Sequence, residues 1–136
     1  MIIGYTSGVY DMFHIGHLNI IKKAKEQCDY LIVGVTTDEL CMKRKKKTPI
    51  ISENDRMEIV KAIRYVDKVI KQKDMNKFEV IKEYHVNIVF VGSDWKGSPS
   101  WIEYEKEFAR IGCKVVYLDH TDGISSTLLR ARLSNE

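Results

Sequence analysis

The sequence lacks the features of a membrane protein, a disulfide scaffold or a cysteine-based metal site. It has 136 residues, with only two prolines and three cysteines, and no apolar run approaches the ~20 residues of a membrane span. Cys28, Cys41 and Cys113 show no metal-ligand spacing and cannot all pair with one another, so we expect a reduced, cytoplasmic protein. Residues 1–5 carry neither the basic segment nor the long apolar segment of a signal peptide, so none is expected.

The sequence also lacks a large excess of charge of either sign. The net charge of +3, with 44% hydrophobic and 30% charged residues, is typical of one globular domain, here 1–136. We therefore expect neither nucleic acid nor a membrane as a partner. The exception is Lys43–Lys47, an unbroken basic run. It is interpreted as a solvated face, a nucleic-acid patch, or a mobile loop that closes over an anionic ligand.

Apolar runs alternate with helical patterns along the chain. Strands are predicted at 2–6, 30–35, 66–70, 87–91 and 114–118, and helices at 16–27, after the capping residue Ser52, at 78–84, from 99 to just before Gly112, and from near Ser125. Residues 36–51 are expected to form a long polar connection. This alternation predicts an α/β protein, a single Rossmann-like domain with a five-stranded parallel sheet and helices on both faces.

Unusual polar residues follow four of the predicted strands. They are the histidines at 14 and 17, the basic run, the segment 93–95 and the segment 120–127. In a doubly wound sheet the carboxyl ends of the strands share one edge, where ligands bind. The sequence therefore predicts one site assembled from these loops.

The tetrapeptide His14-Ile15-Gly16-His17 lies between the first strand and the first helix. A helix N-terminus attracts anions, and two imidazoles three residues apart can face the same anion. Gly16 has no Cβ, so a phosphate could approach the backbone there. A two-histidine iron site completed by Asp11 is the alternative, but such sites usually draw their ligands from separate strands of β scaffolds.

Several motifs together resemble a known family. Residues 8–17 and 120–127 resemble the two signatures of the cytidylyltransferase family within the HxGH nucleotidyltransferases. Residues 37–39, 63–67 and 92–95 also resemble the glycerol-3-phosphate cytidylyltransferases, in order and at near-family spacing, so the resemblance covers essentially the whole chain.

The resemblance implies that a small alcohol phosphate, with glycerol-3-phosphate first, attacks CTP to give a CDP-alcohol and pyrophosphate. It also implies Mg²⁺ with the nucleotide, a homodimer with 64–67 near the interface, and a role in teichoic-acid or capsule precursors. His14, His17 and Lys46 would act on the triphosphate, and Arg44 and Lys77 on the acceptor phosphate. The nucleotide would be bound by Gly8, Val9, Tyr10, Asp11, Ile15, Gly16, Gly92, Asp94, His120, Thr121, Asp122, Gly123, Ile124, Ser125, Ser126 and Thr127.

The chain departs from the family pattern at three positions. His120 replaces an arginine, Asp122 a glutamate, and Ser93 an aspartate. Residues 125–130 also resemble the corresponding segment of adenylyltransferases, so an ATP-dependent enzyme is one alternative and a regulatory nucleotide-binding module another. A class I aminoacyl-tRNA synthetase is excluded, because the chain is too short and has no second signature of the K-M-S-K-S type.

Overall fold

The computed structural model describes residues 1–121 and 124–134. Its strands are β1 (Ile3–Gly8), β2 (Tyr30–Thr36), β3 (Lys68–Gln72), β4 (Ile88–Gly92) and β5 (Lys114–Leu118). Its helices are α1 (Ile15–Glu26), α2 (Asp38–Lys45), α3 (Glu53–Lys61), α4 (Phe78–Tyr84), α5 (Pro99–Ala109) and α6 (Ser126–Ser134), and a short 3₁₀ turn (Ser93–Trp95) follows β4.

The five strands form one parallel sheet in the order β3-β2-β1-β4-β5. From β1 the chain winds outward to β2 and β3, and then crosses to β4 and β5 on the other side. The loops after β1 and β4 therefore diverge at the centre of the sheet, which creates a crevice at its carboxyl edge. This arrangement confirms the predicted fold.

Helices cover both faces because β2 is apolar on both. Leu31, Val33 and Val35 point to one face of the sheet, and Ile32 points to the other. The first face packs against Ile21 and Ala24 of α1 and Val60 of α3. The second packs against Ile81 of α4 and against Trp101 and Phe108 of α5.

The predicted polar connection at 36–51 is wrong in part, because it contains helix α2. Thr37 caps this helix by accepting a hydrogen bond from the Leu40 amide at 3.1 Å, and Leu40 and Cys41 anchor it by burial. The basic run consequently begins on α2. The helix ends at Lys45, and the C-cap residue Lys46 adopts the left-handed conformation, with φ of 56°. Within the described ranges, no helix has both the length and the apolar character needed to cross a membrane.

Candidate active site

A cleft of about 680 Å³ opens at the carboxyl edge of the sheet. Most of the predicted site residues line it: Gly8, Val9, Tyr10, Asp11, His14, Gly16, His17, Arg44, Lys77, Gly92, Asp94, His120, Thr121, Ile124, Ser125, Ser126 and Thr127. Ile15 and Lys46 do not line it, and both are exposed. Asp122 and Gly123 lie outside the described residues.

The backbone at the start of α1 holds both histidines in one tautomer. His14 is the N-cap, and its Nδ1 accepts a hydrogen bond from the Gly16 amide at 3.0 Å. The Nδ1 of His17 accepts one from the His14 amide at 3.2 Å. Because each Nδ1 is an acceptor, each neutral ring carries its proton on Nε2. The pair therefore offers two N–H donors in place of two metal-binding nitrogens.

Burial favours the neutral form of both imidazole rings. They stack with their centroids 3.9 Å apart. Burial lowers the pKa of His14, and burial together with the nearby His14 lowers the pKa of His17 to about 4. The Nε2 of His14 is buried and has no hydrogen-bond partner among the described residues. A buried donor without a partner is costly, so this atom marks where an acceptor oxygen of a ligand would bind.

Gly16 lies against the ring of His14. A Cβ at this position would lie 2.8 Å from Cε1 and 3.0 Å from Nδ1 of His14. Any side chain at position 16 would therefore displace the His14 ring. The glycine makes room for a site residue.

Asp11 is a structural anchor. It is 2% exposed, and its carboxylate accepts hydrogen bonds from the amides of Ile50 at 2.8 Å and Ile51 at 2.9 Å and pairs with Arg130. Burial alone would raise the pKa of Asp11, but these donors outweigh burial and lower it. With both oxygens engaged, the carboxylate joins the loop after β1 to α6 and to the segment before α3. Asp11 is therefore not free to serve as the carboxylate ligand of the alternative iron site.

Arg56 is a site-supporting residue that the sequence analysis missed. Its side chain is fully buried. It donates to the carbonyls of Ile51 at 2.9 Å and of Val9 and Thr36 at 2.8 Å each, and to the carboxylate of Asp38 at 2.5 Å. One guanidinium thus holds the loops that follow β1 and β2. An arginine in an amphipathic helix gives no sequence signal of this role.

The β2–β3 side of the cleft is positively charged. Arg44 and Lys45 reach it from the last turn of α2, and Lys77 reaches it from the start of α4. Lys77 is 9% exposed, and its Nζ lies 5.4 Å from the centre of the Trp101 ring. Burial, with a contribution from Arg44, lowers the pKa of Lys77 to about 8. Within the described part of the chain, no carboxylate oxygen lies within 4.0 Å of its Nζ.

The β4–β5 side carries an imidazole–carboxylate pair. His120 Nε2 lies 3.1 Å from Asp94 Oδ1. A Cβ on Gly92 would come within 2.7 Å of that nitrogen, so the glycine leaves space for the ring. The next residue, Thr121, accepts a hydrogen bond from Asn19 of α1 at 2.8 Å. The loop after β5 is thereby tied to the helix that carries His17.

Of the three hydroxyl side chains at the start of α6, two make hydrogen bonds within the protein and one is exposed in the cleft. Ser125 Oγ accepts a hydrogen bond from the Leu128 amide at 3.1 Å and caps the helix. Ser126 donates to the Asp11 carbonyl at 2.7 Å, whereas Thr127 is exposed and lines the cleft. The helix start therefore faces the same cleft as the start of α1.

Comparison with known proteins gives consistent matches. A family model described as cytidylyltransferase-like matches residues 5–132. The glycerol-3-phosphate cytidylyltransferase of Staphylococcus aureus is 36% identical over 129 residues, which is 94% of this chain and 92% of that protein. The enzyme of the same name from Bacillus subtilis is 34% identical over 130 residues, or 95% of each chain.

Other relatives carry other names. The FAD synthase of Thermococcus sibiricus is 34% identical over 116 residues, covering 85% of this chain and 78% of that protein. A solved structure of a lipopolysaccharide core biosynthesis protein from Thermoplasma volcanium superposes with a TM-score of 0.74 at 26% identity. It covers 89% of this chain and 97% of the other.

Proposed function

The chain belongs to the cytidylyltransferase-like family, and we propose that it transfers CMP from CTP to glycerol-3-phosphate, giving CDP-glycerol and pyrophosphate. The observation that carries this proposal is that one cleft contains two separate groups of side chains suited to binding phosphate. Neutral imidazole donors lie at the start of α1, and the cations Arg44 and Lys77 lie on the β2–β3 side.

The reaction needs alignment and charge stabilisation more than a base. A phosphate monoester has a second pKa of about 6, so the acceptor is already ionised at pH 7. One of its oxygens forms a bond to the α-phosphorus while the bond from that phosphorus to the bridging oxygen breaks, and pyrophosphate leaves. The Nε2 donors of His14 and His17 would stabilise the charge that develops on the phosphate oxygens.

The charges in the cleft favour an acceptor whose phosphate is joined to an uncharged polyol. Asp11 and Asp94 are the two acidic residues among the described residues that line it. Asp11 is neutralised by Arg130, and Asp94 lies against His120. The ammonium group of an amino-alcohol phosphate would therefore find no unengaged carboxylate among the described residues that line the cleft, since Asp74, whose charge acts on Lys77, does not line it. A hydroxylated carbon chain needs none.

Mg²⁺ is expected to enter with the nucleotide as Mg·CTP. Among the residues that the structure describes, no group of three potential ligand residues is close enough to hold a metal ion. The phosphate oxygens and water would therefore supply most of its ligands. His120, Thr121 and Thr127 are proposed to face the nucleotide. Lys46 is exposed and does not line the cleft, so its side chain would have to extend into the cleft to contact the triphosphate.

ATP-dependent adenylyl transfer is the second candidate, favoured by the FAD synthase relative. The purified protein should be assayed with CTP and with ATP against glycerol phosphate, phosphoethanolamine, phosphocholine and riboflavin phosphate. Pyrophosphate release would be measured and the product identified by mass. CDP-glycerol as the main product supports the proposal. Turnover with ATP but not with CTP, or no turnover with any of the four acceptors, contradicts it.

A further inference from the structure

The last residues of β2 and β3 form a polar pair at the edge of the cleft. Thr36 and Gln72 are in register on neighbouring strands. Thr36 is 5% exposed and Gln72 is 7% exposed, and both line the cleft. Neither residue has a role in the reaction proposed above.

The carboxamide of Gln72 is only partly satisfied by the protein. Its Oε1 accepts a hydrogen bond from Thr36 Oγ1 at 2.6 Å, which fixes the plane of the amide. Its Nε2 carries two hydrogens, and among the described residues it meets only the sulfur of Met75, at 3.7 Å. A thioether is a weak acceptor, so this buried amide retains donor capacity at the cleft wall. A buried polar group in this condition is completed by a ligand or by water.

The surroundings of Gln72 identify the part of the ligand that it would meet. Met75 and Lys77 line the cleft beside it, and a smaller pocket of about 250 Å³ adjoins the cleft at Met75, Lys77 and Tyr104. A phosphate held by the cations on this side would place its carbon chain along the cleft wall that Gln72 lines, and the adjoining pocket, which Gln72 does not line, gives further room. A neutral donor next to such a chain is suited to a hydroxyl oxygen.

We propose that Gln72 is a specificity-determining residue that donates a hydrogen bond to a hydroxyl on the carbon chain of the acceptor. This inference rests on the proposed function, because it requires that the acceptor phosphate bind at Arg44 and Lys77. Thr36 acts through Gln72 by holding its amide plane. The neutral amide lets the site select a polyol without adding a charge beside Lys77.

The test combines a change in the protein with a change in the acceptor. Gln72→Leu and Gln72→Met remove the amide, and propyl phosphate lacks the hydroxyls of glycerol phosphate. Gln27→Leu, at an exposed position after α1, is the matched control. We expect each Gln72 variant to raise the KM for glycerol phosphate by about five- to tenfold, as for one lost neutral hydrogen bond. The KM for CTP and the KM for propyl phosphate should stay within about twofold of wild type.

The outcomes separate this inference from the function on which it rests. Selective loss of glycerol phosphate binding supports the assignment. An equal rise in KM for both acceptors, no rise for either, or a wild-type enzyme that binds both acceptors equally well would overturn it while leaving cytidylyl transfer intact. If wild-type protein forms no CDP-alcohol with either acceptor, the proposed function fails, and this assignment fails with it.

Discussion

Lys77 is expected to destabilise the folded chain in the absence of ligand. Its ammonium group is buried, and it faces Trp101 and the positive charge of Arg44. The pKa accordingly falls from 10.5 to about 8. At ~1.36 kcal/mol per pKa unit, this fall corresponds to a cost of about 3 kcal/mol for keeping the group charged in the folded state. A site that binds a phosphate dianion would recover this energy on binding.

Lys77→Met should therefore stabilise the protein and impair acceptor binding. Methionine fills similar space without a charge, so we expect the free energy of unfolding at pH 7 to rise by about 1–3 kcal/mol. For a domain of this size, that is roughly 4–12 °C in Tm. The KM for the acceptor should rise by about 10–100-fold, as for a lost charged hydrogen bond. Lys73→Met, at an exposed neighbouring position, is the control and should change neither quantity.

The pH dependence of the stability difference tests the reasoning directly. Between pH 8 and about 10.5 the unfolded chain binds more protons at Lys77 than the folded chain does, so the stability of wild type rises with pH. The advantage of Lys77→Met should be complete below pH 8 and vanish near pH 10.5. Denaturant unfolding at pH 7, 8.5 and 10 measures it. A variant that is no more stable at pH 7, or whose advantage is the same at pH 10, would refute the argument.

Four further outcomes are expected. His14→Ala and His17→Ala should each lower kcat by about 10²–10³ because each removes a donor to transition-state charge, while the chain stays folded with a Tm lowered by the lost cap of α1; near-normal turnover would contradict their role. His120→Ala should weaken CTP binding, as titration calorimetry would show, because it removes a ring that lines the cleft and lies 3.1 Å from Asp94; an unchanged affinity would contradict a role toward the nucleotide. Arg56→Met should destabilise the fold by roughly 3 kcal/mol or more in denaturant unfolding, since it leaves three carbonyls and Asp38 without their donor. Sedimentation should show a homodimer that Arg64→Glu weakens, and a monomeric wild type would contradict this.

The fold could be predicted because burial on both faces leaves a direct signal in the sequence. Strand β2 is a continuous apolar run, since its alternate residues pack on opposite sides of the sheet. Helix α2 gives no such signal, because only Leu40 and Cys41 are buried and the rest of the helix is polar. Its start depends on the cap at Thr37, which sequence alone does not distinguish from an ordinary loop threonine.

The predicted residues largely meet in one cleft, but what each does depends on contacts between distant segments. Gln72 and Thr36 are 36 positions apart and meet only because β3 pairs with β2 in one register. Such a pair cannot be seen before the register is known. Asp11 shows the same dependence on distant segments, because its carboxylate is surrounded by donors from the Ile50–Ile51 segment and α6, and the sequence gives no sign of these contacts.

These buried anchors explain how a small domain can keep its histidines neutral and aligned. Asp11 and Arg56 together fix the backbone around residues 9–11, and that loop leads into the His14 cap. With the cap in place, each Nδ1 is occupied by an amide, and each Nε2 remains a donor for a ligand. Two charged imidazoles 3.9 Å apart would repel each other, so the neutral form favours the stacked arrangement in which both rings line the cleft. It follows that turnover should fall in two stages as the pH is lowered, first as the acceptor phosphate is protonated near its second pKa of about 6, and then near pH 4, where protonation of His17 would disrupt the stacked pair.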